Sequence, residues 1–283
     1  MILTPDCIIC CQRIALETAK QVTNNEAALK AVIFKTMDVL NSIPQGIDSF
    51  LVGLKVMETI EEVTGNHDPY ANFKKRSNQI GEKLFPIVSE MVEKNPDPLW
   101  AACKAAVMGN LMDVINSTSP DLPDIAEGLF EKPFAVNHFN EFRSALQKAR
   151  KMVYLADNAG EVFFDRILIQ KMNIPTDYFV KGFPFVNDAQ YEDAVLAQID
   201  QVATIRTVEL IKPILLNPEY MYGMYADFLD ATQKADLIVI KGQANYELFM
   251  SLLKGAFYLF VHKCPVIAQK EGAAIGDTVL FRK

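Results

Sequence analysis

Met152-Val153-Tyr154-Leu155-Ala156 is followed by Asp157-Asn158-Ala159-Gly160-Glu161: five apolar residues, then a polar turn that ends beside a glycine. A short, uniformly apolar run bounded by Lys151 and Asp157 reads as a strand buried on both faces, which is the habit of parallel sheets. From Glu161 the apolar spacing becomes helical, to about residue 172. The same alternation then repeats. Strands are expected at 178–181, 203–207, 237–241 and 257–262, with helices at 188–199, 218–234 and 245–254. A last strand at 278–282 closes the sheet. Strand–helix alternation of this kind predicts helices on both sides of a mainly parallel sheet.

Upstream of residue 150 the pattern is different. Asp48 is placed as an N-cap, and Phe50, Leu51, Leu54, Met57, Ile60 and Val63 share one helix face that stops at Gly65. A second helix starts at Pro98, with Leu99, Cys103, Val107, Leu111 and Val114 as its stripe. Further helices are expected at about 10–23, 26–41, 70–94, 121–131 and 138–150, and no strand. The fold class is therefore α/β: an all-helical N-terminal domain (1–150) followed by an α/β/α domain (151–283) with a mainly parallel sheet.

The composition narrows the function classes. In 283 residues, 28 Lys and Arg face 35 Asp and Glu, a net charge of 28 − 35 = −7. That balance argues against nucleic acid and anionic membranes as partners, because attraction to phosphate backbones needs clustered cations. Thirteen glycines are too few for an all-β fold built on tight turns. The N-terminus has no basic stretch and is interrupted by Asp6, so no signal peptide is expected. No run of 18 uncharged apolar residues occurs, and Lys254 and Lys263 break the most apolar region. Five cysteines, an odd number, do not form a disulfide scaffold, so a cytoplasmic location is expected. Nothing here speaks to oligomeric state.

In open parallel sheets ligands sit beyond the carboxyl ends of the strands, so the residues just after each strand carry the chemistry. They are Asp157, Asn158, Gly160 and Glu161 after the first, and Lys181 with Asn187-Asp188 after the second. Lys241-Gly242-Gln243-Ala244-Asn245-Tyr246-Glu247 follows the fourth, and Lys263 the fifth. Asp157, Asn158 and Asp188 offer hard oxygen ligands suited to Mg²⁺ or Mn²⁺, and no zinc-type histidine set accompanies them. The helix N-termini after Gly160 and Gly242 favour a phosphate, with Lys181, Lys241 or Lys263 as its point charge. A metal that polarises a phosphoryl oxygen and activates water is a sufficient hydrolytic mechanism. Each tetrapeptide alone also reads as an ordinary turn or cap; the shared strand-end placement is what favours a site.

Two features of the helical half bear on this. Asn110 falls on the stripe of the Pro98 helix with Asp113 beside it, either capping nearby backbone or facing the cleft. Gly65-Asn66-His67-Asp68-Pro69-Tyr70, with Lys74 after it, reads as a structural loop entering a helix. Cys7-x-x-Cys10 with Cys11 is half of a metal site at most, and a reduced structural cluster is the simpler reading. The phosphate loop and dinucleotide fingerprints are absent.

Together these residues resemble a known family. The Asp157-Asn158-Ala159-Gly160-Glu161 run with Asp165, the Lys181-Gly182 to Asn187-Asp188 segment with Asp193-Ala194, and the Lys241 to Glu247 run look like the three signatures of the metal-dependent damage-control phosphatases. That family was long known only as a domain of unknown function, number eighty-nine. Asp68-Pro69-Tyr70, Gly109-Asn110 with Asp113, and the Cys7/Cys10 pair are similar too, the last to the stand-alone prokaryotic branch. The resemblance implies a single divalent ion (Mn, Co, Ni or Mg) held by Asp157, Asn158 and Asp188, the catalytic set. It implies phosphate binding by Lys241 and the backbone of 242–245. The remaining candidate contacts to substrate are Gly160, Glu161, Lys181, Gly242, Asn245, Glu247, Asn110 and Asp113. The implied substrate is a small phosphorylated metabolite, a sugar phosphate or related compound. Ala244, Ala189-Gln190 and the stretch 207–224 depart from the family pattern, which bears on substrate more than on metal. The alternatives are an S-adenosylmethionine-dependent carboxyl methyltransferase, poorly served by Asp-Asn-Ala-Gly as a cofactor loop, and a non-catalytic metal or metabolite sensor.

Overall fold

Five helices open the chain: α1 (Pro5–Lys20), α2 (Glu26–Ser42), α3 (Ser49–Thr64), α4 (Ala71–Lys94) and α5 (Pro98–Met108). A computed structural model of the protein describes residues 3–44, 47–108, 130, 132–209 and 223–283. Helix α3 starts where expected, Asp48 Oδ1 accepting from Phe50 N at 2.8 Å, and stops at Gly65 with φ 70°. Helix α1 begins five residues before the expected position 10. Pro5 in its first turn has no N–H to leave unsatisfied, and Asp6 complements the dipole.

The remainder alternates as β1 (Val136–Asn137), α6 (Phe139–Leu146), β2 (Met152–Leu155), α7 (Val162–Met172), β3 (Thr176–Lys181), α8 (Tyr191–Leu196), β4 (Thr204–Val208), α9 (Ala226–Gln233), β5 (Leu237–Lys241), α10 (Gln243–Phe249), β6 (Phe257–Val261), α11 (Pro265–Lys270) and β7 (Thr278–Arg282). One sheet of seven strands runs β1-β7-β6-β5-β2-β3-β4. Strands β4, β3, β2, β5 and β6 are mutually parallel, β7 is antiparallel to β6, and β1 lies parallel to β7.

Three local expectations change. A strand does occur before residue 150, because Val136 and Asn137 pair with Val279 and Leu280; two residues are too few to show alternation. The helix expected at 188–199 starts only at Tyr191, capped by Gln190, since residues 188 and 190 are drawn into backbone bridges with Asn158 and Lys181. Helix α11 had no counterpart in the sequence reading. The helix expected at 121–131, the Leu111–Val114 end of the Pro98 helix and the start of the 218–234 helix lie outside the described residues.

Two hydrophobic clusters cover the sheet. Along β2 the side chains alternate, Met152 and Tyr154 entering one cluster with Leu84, Val88, Ala101 and Ala105 of α4 and α5. Val153 and Leu155 enter the other, with Ala15, Leu51 and Ile60 of α1 and α3. From β2 the chain winds outward through β3 and β4, and from β5 the other way through β6. The carboxyl ends of β2 and β5 therefore flank the crevice where strand order reverses. Among the described residues no helix is long and apolar enough to cross a membrane.

Candidate active site

Asp157 leaves β2 directly into that crevice, and Gly242 leaves β5 against it. Gly242 has φ 84°, and a Cβ there would sit 2.2 Å from Asp157 Cγ, so only glycine lets the two strand ends approach. Asp188 is brought in by backbone. Ala189 N donates to Asp157 O at 2.8 Å and Ala159 N to Asn187 O at 2.9 Å, a short antiparallel bridge beyond the parallel β2–β3 ladder. Val186, two residues before Asp188, is held at φ 47°, a strained conformation for a β-branched residue.

Beneath these carboxylates lies a buried charge network. Lys241 Nζ, with no solvent exposure, donates to Glu161 Oε2 and Asp165 Oδ1, both at 2.9 Å. Asp165 also accepts from Tyr154 at 2.6 Å and Tyr178 at 2.7 Å. Asn158 Nδ2 donates to Asp157 Oδ2 at 2.9 Å and Glu161 Oε1 at 2.7 Å, which orients its amide between the two acids. Burial, with the like charge of Asp188, raises the Asp157 pKa. Asp188 is raised by burial and by Glu161, against the pull of Lys181. Glu161 is raised by burial in spite of Lys241. For Lys241, burial works against the charge but Asp165 and Glu161 outweigh it, and its pKa rises.

This donor set fits a hard divalent cation. The like charge of Asp188 disfavours the buried Asp157 anion even with Lys181, Lys241 and Lys263 nearby, and two acids with an amide oxygen carrier are donor types that such a cation takes. Among the described residues no group of three or more His, Cys, Asp or Glu converges as a ligand set.

The three lysines read from the sequence as equivalent have different surroundings. Lys181 is buried, bonds the Tyr225 hydroxyl, lies 3.8 Å from Asp188 and sits 5.1 Å from the Phe50 ring centre. Lys241 is enclosed by Glu161 and Asp165. Lys263 is exposed, and its charge lowers the pKa of both Asp157 and Asp188. Its main-chain N donates to Gln243 Oε1 at 2.7 Å, and Gln243 Nε2 donates to Glu247 Oε1 at 2.8 Å, which places Glu247 behind the β6 end. Asn245 ties the strands, its Nδ2 donating to Ala156 O at 3.0 Å and Lys241 O at 2.9 Å. Gly160 is pressed by helix α4, where a Cβ would meet Ser77 O at 2.7 Å. Asn110 and Asp113 lie outside the described residues.

Residues 3–279 match the damage-control phosphatase ARMT1-like domain. The chain belongs to that family. Among its ARMT1-like relatives is a damage-control phosphatase of Archaeoglobus fulgidus, 31% identical over 98% of this chain and 96% of that protein. An uncharacterized protein of Methanocaldococcus jannaschii is 29% identical over 99% and 95%. A damage-control phosphatase of Pyrococcus horikoshii is 27% identical over 98% and 96%. The crystal structure of a DUF89 family protein from Pyrococcus horikoshii covers 100% of this chain and 99% of its own, with a TM-score of 0.85 at 24% identity. That protein shares this helical-plus-α/β architecture from end to end.

The residues that the sequence reading left out of the site are on α4. Asn78 Oδ1 accepts from Gly160 N at 2.8 Å, and Lys74 Nζ donates to Gln190 Oε1 at 2.5 Å. A signal was present: Lys74, Ser77, Asn78 and Gly81, spaced i, i+3, i+4 and i+7, form one polar, small stripe on an otherwise amphipathic helix, and all four are buried.

Proposed function

We propose that this chain is a metal-dependent phosphatase, hydrolysing phosphate monoesters of small metabolites such as sugar phosphates or related damaged metabolites. The observation that carries this reading is the meeting of Asp157, Asn158 and Asp188 at the switch point of the sheet. Asp157, Asn158 and Asp188 would hold one divalent ion, Mn, Co, Ni or Mg. When bound, such an ion polarises the phosphoryl group and makes water a competent nucleophile. The chain supplies the rest. Lys263, the exposed cation at the β6 end, meets the anionic substrate. The first-turn N–H groups of α10 and α7 lie beyond the carboxyl ends of β5 and β2 and would donate to phosphate oxygens. Lys241 is a positioning residue that neutralises Glu161 and Asp165, and Glu161 then fixes the Asn158 amide. The methyltransferase reading loses support here, because Ser77 of α4 packs against Gly160 where a cofactor would approach a glycine loop.

The test is phosphate release from a panel of phosphorylated metabolites with each of the four metals. Asp157→Ala and Asp188→Ala are expected to abolish metal-dependent release with unchanged circular dichroism. Full activity in Asp157→Ala overturns the assignment, and tight metal binding without turnover on any ester favours the sensor. Lys263→Met is expected to lower kcat/KM at least ~10-fold at unchanged Tm. Lys241→Met, which strands two buried carboxylates, is expected to cost about 3–5 kcal/mol of stability.

A further inference from the structure

Asp157 and Asp188 stand on different loops, so whatever fixes one loop against the other fixes the spacing of the two carboxylates. Backbone bonds from Ala159 and Ala189 do part of this. The rest comes from the helical half. Asn78 of α4 is 6% exposed and reaches both loops at once. Its Oδ1 accepts from Gly160 N at 2.8 Å, in the turn carrying Asp157 and Asn158. Its Nδ2 donates to Asp193 Oδ1 at 2.6 Å. The second oxygen of Asp193 accepts from Gln190 N at 2.8 Å, two residues from Asp188. One turn before Asn78, Lys74 holds the Gln190 side chain at 2.5 Å while Asp68 holds Lys74 at 2.7 Å. The contact is close-packed, because a Cβ on Gly81 would fall 2.7 Å from Gly160 O.

We propose that Asn78, through Asp193 and Gln190, is a positioning residue that sets the distance between the Asp157 and Asp188 carboxylates and so the affinity of the site for its metal. Helix α4 is then part of the metal centre without contributing a ligand, and Asp68 and Lys74 serve the same clamp. Outer partners that orient ligands are the ordinary means by which a protein tunes a metal site. The inference rests on the metal reading proposed above.

Mn²⁺ titration by calorimetry on the purified full chain separates the two, using wild type, Asp157→Ala, Asn78→Ala, Asp193→Asn, Asp193→Ala and the double variant Asn78→Ala/Asp193→Ala. No binding to wild type, or undiminished binding to Asp157→Ala, overturns the metal reading itself. Given wild-type binding lost in Asp157→Ala, Asn78→Ala is expected to weaken Mn²⁺ at least ~10-fold with unchanged circular dichroism. The double variant is expected to be no weaker than the worse single, because the two residues act as one clamp. Asp193→Asn keeps the shape but loses one of two acceptor roles, so it is expected to weaken Mn²⁺ in the same direction, and it decides the matter if either alanine variant fails to fold. A folded Asn78→Ala or Asp193→Asn that binds Mn²⁺ within twofold of wild type overturns the inference. Two singles whose losses multiply in the double variant overturn it as well.

Discussion

Lys104 and Lys241 are both buried lysines, and their partners send them in opposite directions. Lys241 faces two carboxylates and keeps its proton more firmly than in water. Lys104 is 1% exposed and, among the described residues, meets the Thr278 hydroxyl at 3.0 Å and the rings of Phe134 and Trp100, 4.5 and 6.0 Å from their centres. Burial, with the like charge of Lys132 adding to it, lowers its pKa to about 8. The folded value then lies below the unfolded one of about 10.4. Between them the unfolded chain binds the extra proton, so this lysine's contribution is fully present above about pH 10.4 and is lost as pH falls through 8. Lys104→Met removes the titration and keeps most of the packing. From pH 7.5 to 10, wild type is expected to gain about 2 kcal/mol relative to that variant. Urea denaturation of both proteins at the two pH values measures it, and a constant difference between them counts against the shift.

At the scale of elements, α4 is the helix whose role was hardest to read and whose contact is easiest to test. Gly to Ala inside an exposed helix ordinarily stabilises by about 1 kcal/mol. At Gly81 the new methyl would lie 2.7 Å from Gly160 O and 2.7 Å from a ring atom of Phe163. A backbone carbonyl in a turn bridged to β3's exit cannot yield cheaply, so the overlap wins. Gly81→Ala is expected to destabilise by about 1–3 kcal/mol, read as a lower urea midpoint; a stabilised variant would show that α4 does not press on the turn. Strand β2 was legible because five apolar residues and a polar turn have one economical reading, and the strand-end rule then singled out Asp157, Asn158 and Asp188. The stripe Lys74, Ser77, Asn78, Gly81 was opaque for the converse reason. Polar residues at helical spacing look like a solvated face until another segment, here the 157–160 turn, is seen to cover them. Nor could spacing separate Lys181, Lys241 and Lys263, since the acids that occupy two of them come from other elements.

The sheet takes its cover from both halves of the chain. Strand β2 is buried on both faces, by α4, α5 and α7 on one side and by α1, α3 and residues of α9 and α10 on the other. Four of those helices precede residue 150. Removing them would expose Met152, Val153, Tyr154 and Leu155 together with their neighbours on β3 and β5, and each large buried side chain is worth about 1.5–3 kcal/mol. Losses of that size exceed the net stability of an ordinary domain. We propose that the change of pattern near residue 150 marks a change of architecture inside one folding unit. The full chain is expected to unfold in one transition, with far-UV circular dichroism and the fluorescence of Trp100, the single tryptophan, giving coincident curves. Residues 151–283 expressed alone are expected to give a collapsed amide spectrum, and to recover dispersion when 1–150 is co-expressed. Two separated transitions, or a well-dispersed spectrum from the isolated fragment, would instead make residue 150 a true folding boundary. The clamp from α4 to the Asp188 loop would then be a contact between domains, broken and remade without unfolding either.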